Sequence, residues 1–262
     1  MDLMNDAYAS LRVRRDGDIV FVQMHRPDAA NAIDTVLVDE LSRVLTVCQA
    51  DAKVVVLEGL PEVFCNGADF AAIRDRADAG ASEGGQDPGA LYDVWLQLAA
   101  GPYVSVAHVR GRANAGGVGF VAACDLVLAE DAASFSLSEL LFGLMPACVL
   151  PFLVRRIGIA RANALTLLTQ PIGADQARDW GLVDICEADS ANLLRKSLLR
   201  LRRLDRNGVA RYKRYANGLA PSLVHARAAA LDANAEVFGD PENIRRIARY
   251  VNTGRFPWEA EL

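Results

Sequence analysis

Residues 108–158 read HVRGRANAGGVGFVAACDLVLAEDAASFSLSELLFGLMPACVLPFLVRRIG. An apolar strand-like run ends in a glycine-rich turn, Gly116-Gly117-Val118-Gly119. An apolar helix-like segment follows, then a strand from Asp125 to Ala129. Ser-Leu-Ser then leads to a lone carboxylate, Glu139. A glycine turn feeding a helix start leaves backbone N–H groups uncovered, so a ligand oxygen can approach them closely. A single carboxylate in apolar surroundings is a candidate acid/base. Together they point to chemistry beside a carbonyl, with the oxyanion held by backbone amides.

Upstream, Tyr103 to Val109 reads as a buried strand. Leu91 to Ala100 reads as a helix with Leu91, Val94, Trp95 and Leu98 on one side. Residues 77–90 (ADAGASEGGQDPGA) are small, polar and glycine-rich. They read as a mobile loop, either an active-site lid or a plain surface insertion. Phe64-Cys65-Asn66-Gly67-Ala68-Asp69-Phe70 is a second strand-to-helix bend, where Asp69 is placed to cap or orient the helix. Lys53 to Gly59 (KVVVLEG) has the unbroken apolar pattern of a strand covered on both faces. Ile33 to Cys48 carries apolar residues at helical spacing, capped by Asn31 or Asp34. Leu11 to Arg15 and Asp18 to Met24 flank Asp16-Gly17 as a hairpin.

Downstream, Arg161 to Thr169 and Ala174 to Trp180 read as helices, the second stopped at Gly181. The chain is helical and charged from Ser190 onward. Residues 195–214 hold nine Lys or Arg against one acid, Asp205. That segment is either a solvated helix face or a docking surface for an acidic or phosphate-bearing partner. The tail ends in Phe256-Pro257-Trp258, aromatics suited to a subunit contact.

The totals set the limits. A 262-residue chain that is 52% hydrophobic has a sizeable core and is not disordered. No apolar run is long enough to span a membrane, and MDLMNDAYAS lacks the apolar centre of a signal peptide. Five scattered cysteines without a C-x-x-C pair read as reduced and buried, in a cytoplasmic protein. Three scattered histidines offer no metal-ligand spacing, and no nucleotide fingerprint is present. A net charge of −5 argues against nucleic acid as a partner.

Arg26-Pro27 with Asn31-Ala32-Ile33, Phe64 to Phe70, Gly111 to Asp125, Ser138-Glu139 and Trp180 to Val183 occur in an order and spacing that resembles the crotonase (enoyl-CoA hydratase/isomerase) superfamily over nearly the whole chain. The resemblance implies an α/β fold: a spiral of ββα units over residues 1–200, then a helical region at 201–262 for oligomerisation and pocket closure. It implies a homo-trimer or hexamer.

The family's oxyanion hole falls on the amides of Ala68 and Gly116. Hydratases of this family carry two catalytic glutamates. The position of one is Gly119 here, so that carboxylate is absent. The other matches Glu139, with Leu137, Leu140 and Phe142 as apolar neighbours that raise its pKa. Asp69, Tyr92, His108 and Gly117 are carried as candidate substrate contacts. The stretches around Gly116 to Phe120, Ser134 to Phe152 and Thr253 to Trp258 are similar to the dehydrating members of polyketide β-branching cassettes, of the bacillaene-pathway type. That similarity implies dehydration of a 3-hydroxy-3-methylglutaryl thioester on an acyl carrier protein, or on CoA, to the 3-methylglutaconyl product. The implied reaction uses no cofactor and no metal. The substrate's distal carboxylate then needs a partner, with Tyr92, Arg74 and His108 as unranked candidates. Decarboxylation of the product, double-bond isomerisation, and a non-catalytic scaffold or RNA-binding role are the competing readings.

Overall fold

The computed structural model describes residues 7–79, 87–219 and 222–259. The hairpin forms as read: β1 (Leu11–Asp16) pairs antiparallel with β2 (Ile19–Met24) around Gly17, whose φ of +62° suits a glycine. Three parallel strands follow, β3 (Val54–Glu58), β5 (Val104–Val109) and β7 (Leu126–Glu130), and the short β10 (Ile185–Glu187) closes the edge. All six residues of β5 are buried, because both faces of the sheet are covered. Val20, Val22, Val55, Leu57 and Ala107 share one core with α1 (Thr35–Asp51), α3 (Pro88–Ala100) and α4 (Gly116–Ala123). Their strand neighbours Ile19, Phe21, Val54, Val56 and Val106 face the other way, onto Leu193, Leu194 and Leu198 of α7 (Ser190–Leu201).

A second sheet carries the site. Its strands are β4 (Val63–Cys65), β6 (Arg112–Asn114), β8 (Ser134–Ser136) and β9 (Ile172–Gly173), in that order. Each is two or three residues long, too short for alternation to be visible in sequence. β3 leads into β4 and then α2 (Phe70–Asp78). β5 leads into β6 and α4, and β7 into β8 and a 3₁₀ turn (Glu139–Phe142). The chain thus repeats a ββα unit, and the expected α/β spiral is what forms. β4, β6 and β8 are mutually parallel, so their C-terminal ends lie side by side. Those ends deliver Ala68, Gly116 and Glu139.

Several boundaries differ from the sequence reading. Asp34 caps α1, accepting from Leu37 N at 2.8 Å. Asn31 instead adopts φ +52° and is wholly buried, donating to Met24 O and Phe64 O at 3.1 and 3.0 Å. It ties the end of β2 to the end of β4. The expected helix at Arg161 begins much earlier, as α5 (Leu150–Leu168), with a break at Gly158 (φ +76°). Pro151 sits in its first turn, where a missing N–H costs nothing. Of the loop expected over 77–90, residues 77 and 78 end α2 and 88–90 begin α3, while 80–86 lie outside the described residues.

The helical C-terminal part comprises α6 (Ala174–Trp180), α7, α8 (Arg206–Leu219), α9 (Leu223–Phe238) and α10 (Pro241–Thr253). Leu223 and Ala230 of α9 enter the main core. α10 packs on α2 and on the 3₁₀ turn, where Phe142, Tyr250 and Phe256 form an aromatic cluster with centroids 5.1 to 6.1 Å apart. Phe256 is therefore an intramolecular packing residue, and only Trp258 of that pair is exposed. Part of the basic segment is spent on internal partners, while most of its cations stay exposed. Lys213 is buried on Asp125 at 2.6 Å, Arg202 pairs with Asp16, and Arg206 donates to the carbonyls of Gln49 and Ala52. α7 lies across the six-stranded sheet from α4, so its cations stand apart from Gly116.

Candidate active site

The first amide comes from the bend after β4. Ile33 N donates to Gly67 O (2.8 Å), and Asp69 N donates to Ile33 O (3.2 Å). In this parallel bridge the N–H of Ala68, the residue between, points away from Ile33 and has no acceptor among the described residues. Gly67 adopts φ +85°, and a Cβ there would stand 2.7 Å from Ala115 Cβ and 3.5 Å from Gly116 N. The bend is therefore pressed against the turn that opens α4. A Cβ on Gly117 would meet Cys65 O at 2.4 Å, so the same close approach requires glycine from the other side. Gly117 shapes the turn through that backbone contact. Gly116 N opens a helix of eight residues and has no acceptor among the described residues. Ala115 precedes it at φ 50°, ψ −121°, a conformation unusual for a residue with a Cβ, which aims the amide.

The bend is locked from behind. Asp69 Oδ1 accepts from Ala72 N (3.1 Å), capping α2. Its Oδ2 lies 3.4 Å from Arg26, whose guanidinium also pairs with Asp34 at 2.8 Å and donates to Ala32 O. Both Asp69 oxygens have internal partners, so this carboxylate orients the bend.

Asn114, at the end of β6, joins the three site segments. Its Nδ2 donates to Asn66 O (3.4 Å) and Ser138 Oγ (3.1 Å), and its Oδ1 accepts from Ser136 Oγ (2.8 Å). Glu139 follows directly. Its Oε2 is buried with no hydrogen-bond partner among the described residues. Burial pushes the carboxyl up to about 7, against the weaker pull of the Glu139 and Ser138 amides. Leu137 and Phe142 are buried as expected, but Leu140 points outward at 40% exposure and contributes little. Downstream, Asn243 of α10 donates to Gly143 O and Val237 O, both at 3.0 Å, pinning the 3₁₀ turn to the C-terminal helix.

Three other candidates fall outside this group. Tyr92 is 0% exposed, and its hydroxyl donates to Leu223 O at 2.7 Å. His108 is buried between Glu58 (3.0 Å) and Ser190 (3.1 Å), with Ser190 donating in turn to Glu130 at 2.9 Å. Both serve packing between elements, because their polar atoms are spent on internal partners. Arg74 is engaged by Asp75 and by Asn252 of α10 at 3.0 Å. Asn114 and Asn243 were not singled out in sequence, and Ser138 was noted only as a landmark beside Glu139. Asn114 left a trace, since it sits two residues before the glycine turn.

A cavity of about 440 Å³ lies elsewhere, at the C-terminal end of α4 between Cys124, Phe152, Tyr212 and Lys213. It borders none of Ala68, Gly116 or Glu139. Two uncovered amides aimed from adjacent turns, with a raised carboxylate beside them, suit stabilisation of an enolate oxygen and transfer of an α-proton.

Comparison with known proteins gives the family. Residues 14–261 match the family model for enoyl-CoA hydratase/isomerase. The chain is 51% identical to the bacillaene synthase dehydratase PksH of Bacillus subtilis (strain 168) over 261 residues, covering 99% of each chain. A crystal structure described as a putative polyketide biosynthesis enoyl-CoA hydratase (pksH) from Bacillus subtilis superposes with a TM-score of 0.93 at 50% identity, over 96% of this chain and 100% of that one. A putative enoyl-CoA hydratase of Thermus thermophilus is 31% identical over 64% of this chain and 67% of its own.

Proposed function

The chain belongs to the enoyl-CoA hydratase/isomerase family, and on that footing we propose that it is a hydro-lyase of polyketide biosynthesis, removing water from a 3-hydroxy-3-methylglutaryl group carried on an acyl carrier protein. Full-length similarity to a dehydratase supports the reaction class. The observation that carries the mechanism is Glu139: a buried carboxylate with a free Oε2, raised to about 7, next to the two turns that expose Ala68 N and Gly116 N.

The amides of Ala68 and Gly116 donate to the thioester carbonyl oxygen. As the α C–H bond breaks, negative charge builds on that oxygen and both hydrogen bonds strengthen. The eight-residue α4 adds the positive end of its dipole. Ionised Glu139 takes the α-proton. The C–OH bond then breaks, Glu139 returns the proton to the departing oxygen, and water leaves with a new C=C bond behind. A carboxyl poised near 7 is suited to both halves, being weakly basic when ionised and weakly acidic when protonated. With one carboxylate serving both, the proton and the hydroxyl depart from the same face. The finer assignments of carrier protein over CoA, a trimer or hexamer, a cytoplasmic location, and a 201–262 region that assembles subunits are part of this reading.

Mass spectrometry of the carrier-bound acyl group tests it. Loss of one water supports dehydration. Loss of carbon dioxide would move the assignment to a decarboxylase, and an unchanged mass with a shifted double bond to an isomerase.

A further inference from the structure

Gly119 lies one turn along α4 from Gly116, so a side chain there would project from the face that carries the oxyanion amide. That space is already filled. A Cβ on Gly119 would stand 2.5 Å from Cζ2, 2.8 Å from Cε2 and 2.8 Å from Cη2 of Trp95. A Cβ on Gly116 would meet the same Cζ2 at 3.9 Å. The indole of Trp95 therefore lies along the first turn of α4, underneath both glycines. It is 1% exposed and held by edge-on packing against Phe120 and Phe152, with centroids 5.8 and 5.6 Å away. Its Nε1 has no hydrogen-bond partner among the described residues. Ring packing alone fixes it, as a volume-filling role requires.

We propose that Trp95 is a specificity-determining residue of this site: its indole occupies the place of a second acid/base side chain at 119, leaving Glu139 as the single carboxylate at the reaction centre. The inference rests on the reading of the site given above. A hydratase with two carboxylates divides the proton transfers, one group deprotonating the water while the other serves the α-carbon. With one carboxylate, Glu139 makes both transfers in turn, hydration being the dehydration run backwards. Trp95 makes that arrangement structural, because a side chain at 119 has no room while the indole remains.

Two measurements test this. The first is a thermal double-mutant cycle. Gly119→Ala lowers Tm by more than about 4 °C in the parent through overpacking, and changes it little in a Trp95→Leu background. Equal shifts in both backgrounds would overturn the proposal. The second is hydration of crotonyl-pantetheine. The parent, Gly119→Glu and Trp95→Leu are expected to be slow, while the folded pair Trp95→Leu/Gly119→Glu gains at least about tenfold over the parent. A folded pair no faster than the parent, or a parent already as fast, would sink it. Failure of the parent to dehydrate the branched hydroxyacyl thioester, with the cycle intact, would count against the proposed function and leave Trp95 in its place.

Discussion

Asn114 Nδ2 stands 3.1 Å from Ser138 Oγ, one residue before Glu139, and 3.4 Å from Asn66 O, two residues before Ala68. One amide group thus sets the proposed acid/base against the first proposed oxyanion donor, and it sits two residues before the second, Gly116. Asn114→Ala removes both links. We expect kcat to fall by about 10- to 100-fold with KM nearly unchanged, since sub-ångström misplacement harms the transition state more than binding. Asn114→Asp does not rescue, because it lacks the donor. Steady-state kinetics on the two variants decides this.

Glu139 links catalysis to stability with opposite signs. Its carboxyl is raised from 4.5 to about 7 by burial, so between these values the folded chain holds a proton that the unfolded chain has released. This contribution is fully present below 4.5 and is lost as pH rises through 7. That rise corresponds to roughly 3 kcal/mol against folding above pH 7. Glu139→Gln should therefore be more stable than the parent at pH 8, and the gain should vanish near pH 4. The same change should lower kcat by at least about 100-fold and remove the rise of the parent's kcat with pH up to about 7. Denaturant titrations at both pH values and a kcat–pH profile check the two halves. A parent and variant of equal stability at pH 8 would contradict a buried carboxylate.

Ala115 carries backbone strain where the oxyanion turn is formed, at φ 50° and ψ −121°. Glycine adopts this conformation without penalty. Ala115→Gly is expected to leave Tm unchanged or raise it by a few degrees, the relief of about 1 to 3 kcal/mol offsetting the entropy of the added glycine. Ala115→Val should lower both Tm and kcat. A large loss of stability in Ala115→Gly would mean that the methyl group, which rests against Gly67, matters more than the dihedral angles.

Asn243 is 4% exposed and satisfies two carbonyls, Gly143 O on the turn after Glu139 and Val237 O on α9. Gly143 itself has φ +78° and no room for a Cβ, which would stand 2.1 Å from Asn243 Oδ1. Asn243→Ala removes two part-buried hydrogen bonds, at a cost of roughly 1–3 kcal/mol in all. Because the same turn carries Glu139, kcat should fall along with Tm. An unaltered kcat in a destabilised variant would confine α10 to a structural role.

Long elements were legible in the sequence, and the short ones that build the site were not. β3 and β5 stood out because burial on both faces writes an unbroken apolar run. The three-residue strands β4, β6 and β8 leave no such pattern, yet their parallel ends gather the site. The two bends with uncovered amides were readable because close backbone approach demands small residues, at Gly67, Ala68, Gly116 and Gly117. Glu139 was readable as a lone acid among apolar residues. Tyr92 and His108 misled for one reason: a polar side chain on an apolar element looks like a ligand until its internal partner, Leu223 O or Glu58 and Ser190, is known. Trp95 looked like an ordinary core residue, since only the backbone trace shows that Gly119 makes room for it.

The central claim is that one carboxylate, with two backbone amides, removes both the α-proton and the hydroxyl. Incubating carrier-bound 3-hydroxy-3-methylglutarate with the parent and with Glu139→Gln, followed by mass spectrometry of the acyl group, tests it most directly. The account predicts loss of one water with the parent and an unchanged acyl group with the folded variant over the same time. Equal loss of water with Glu139→Gln would contradict it.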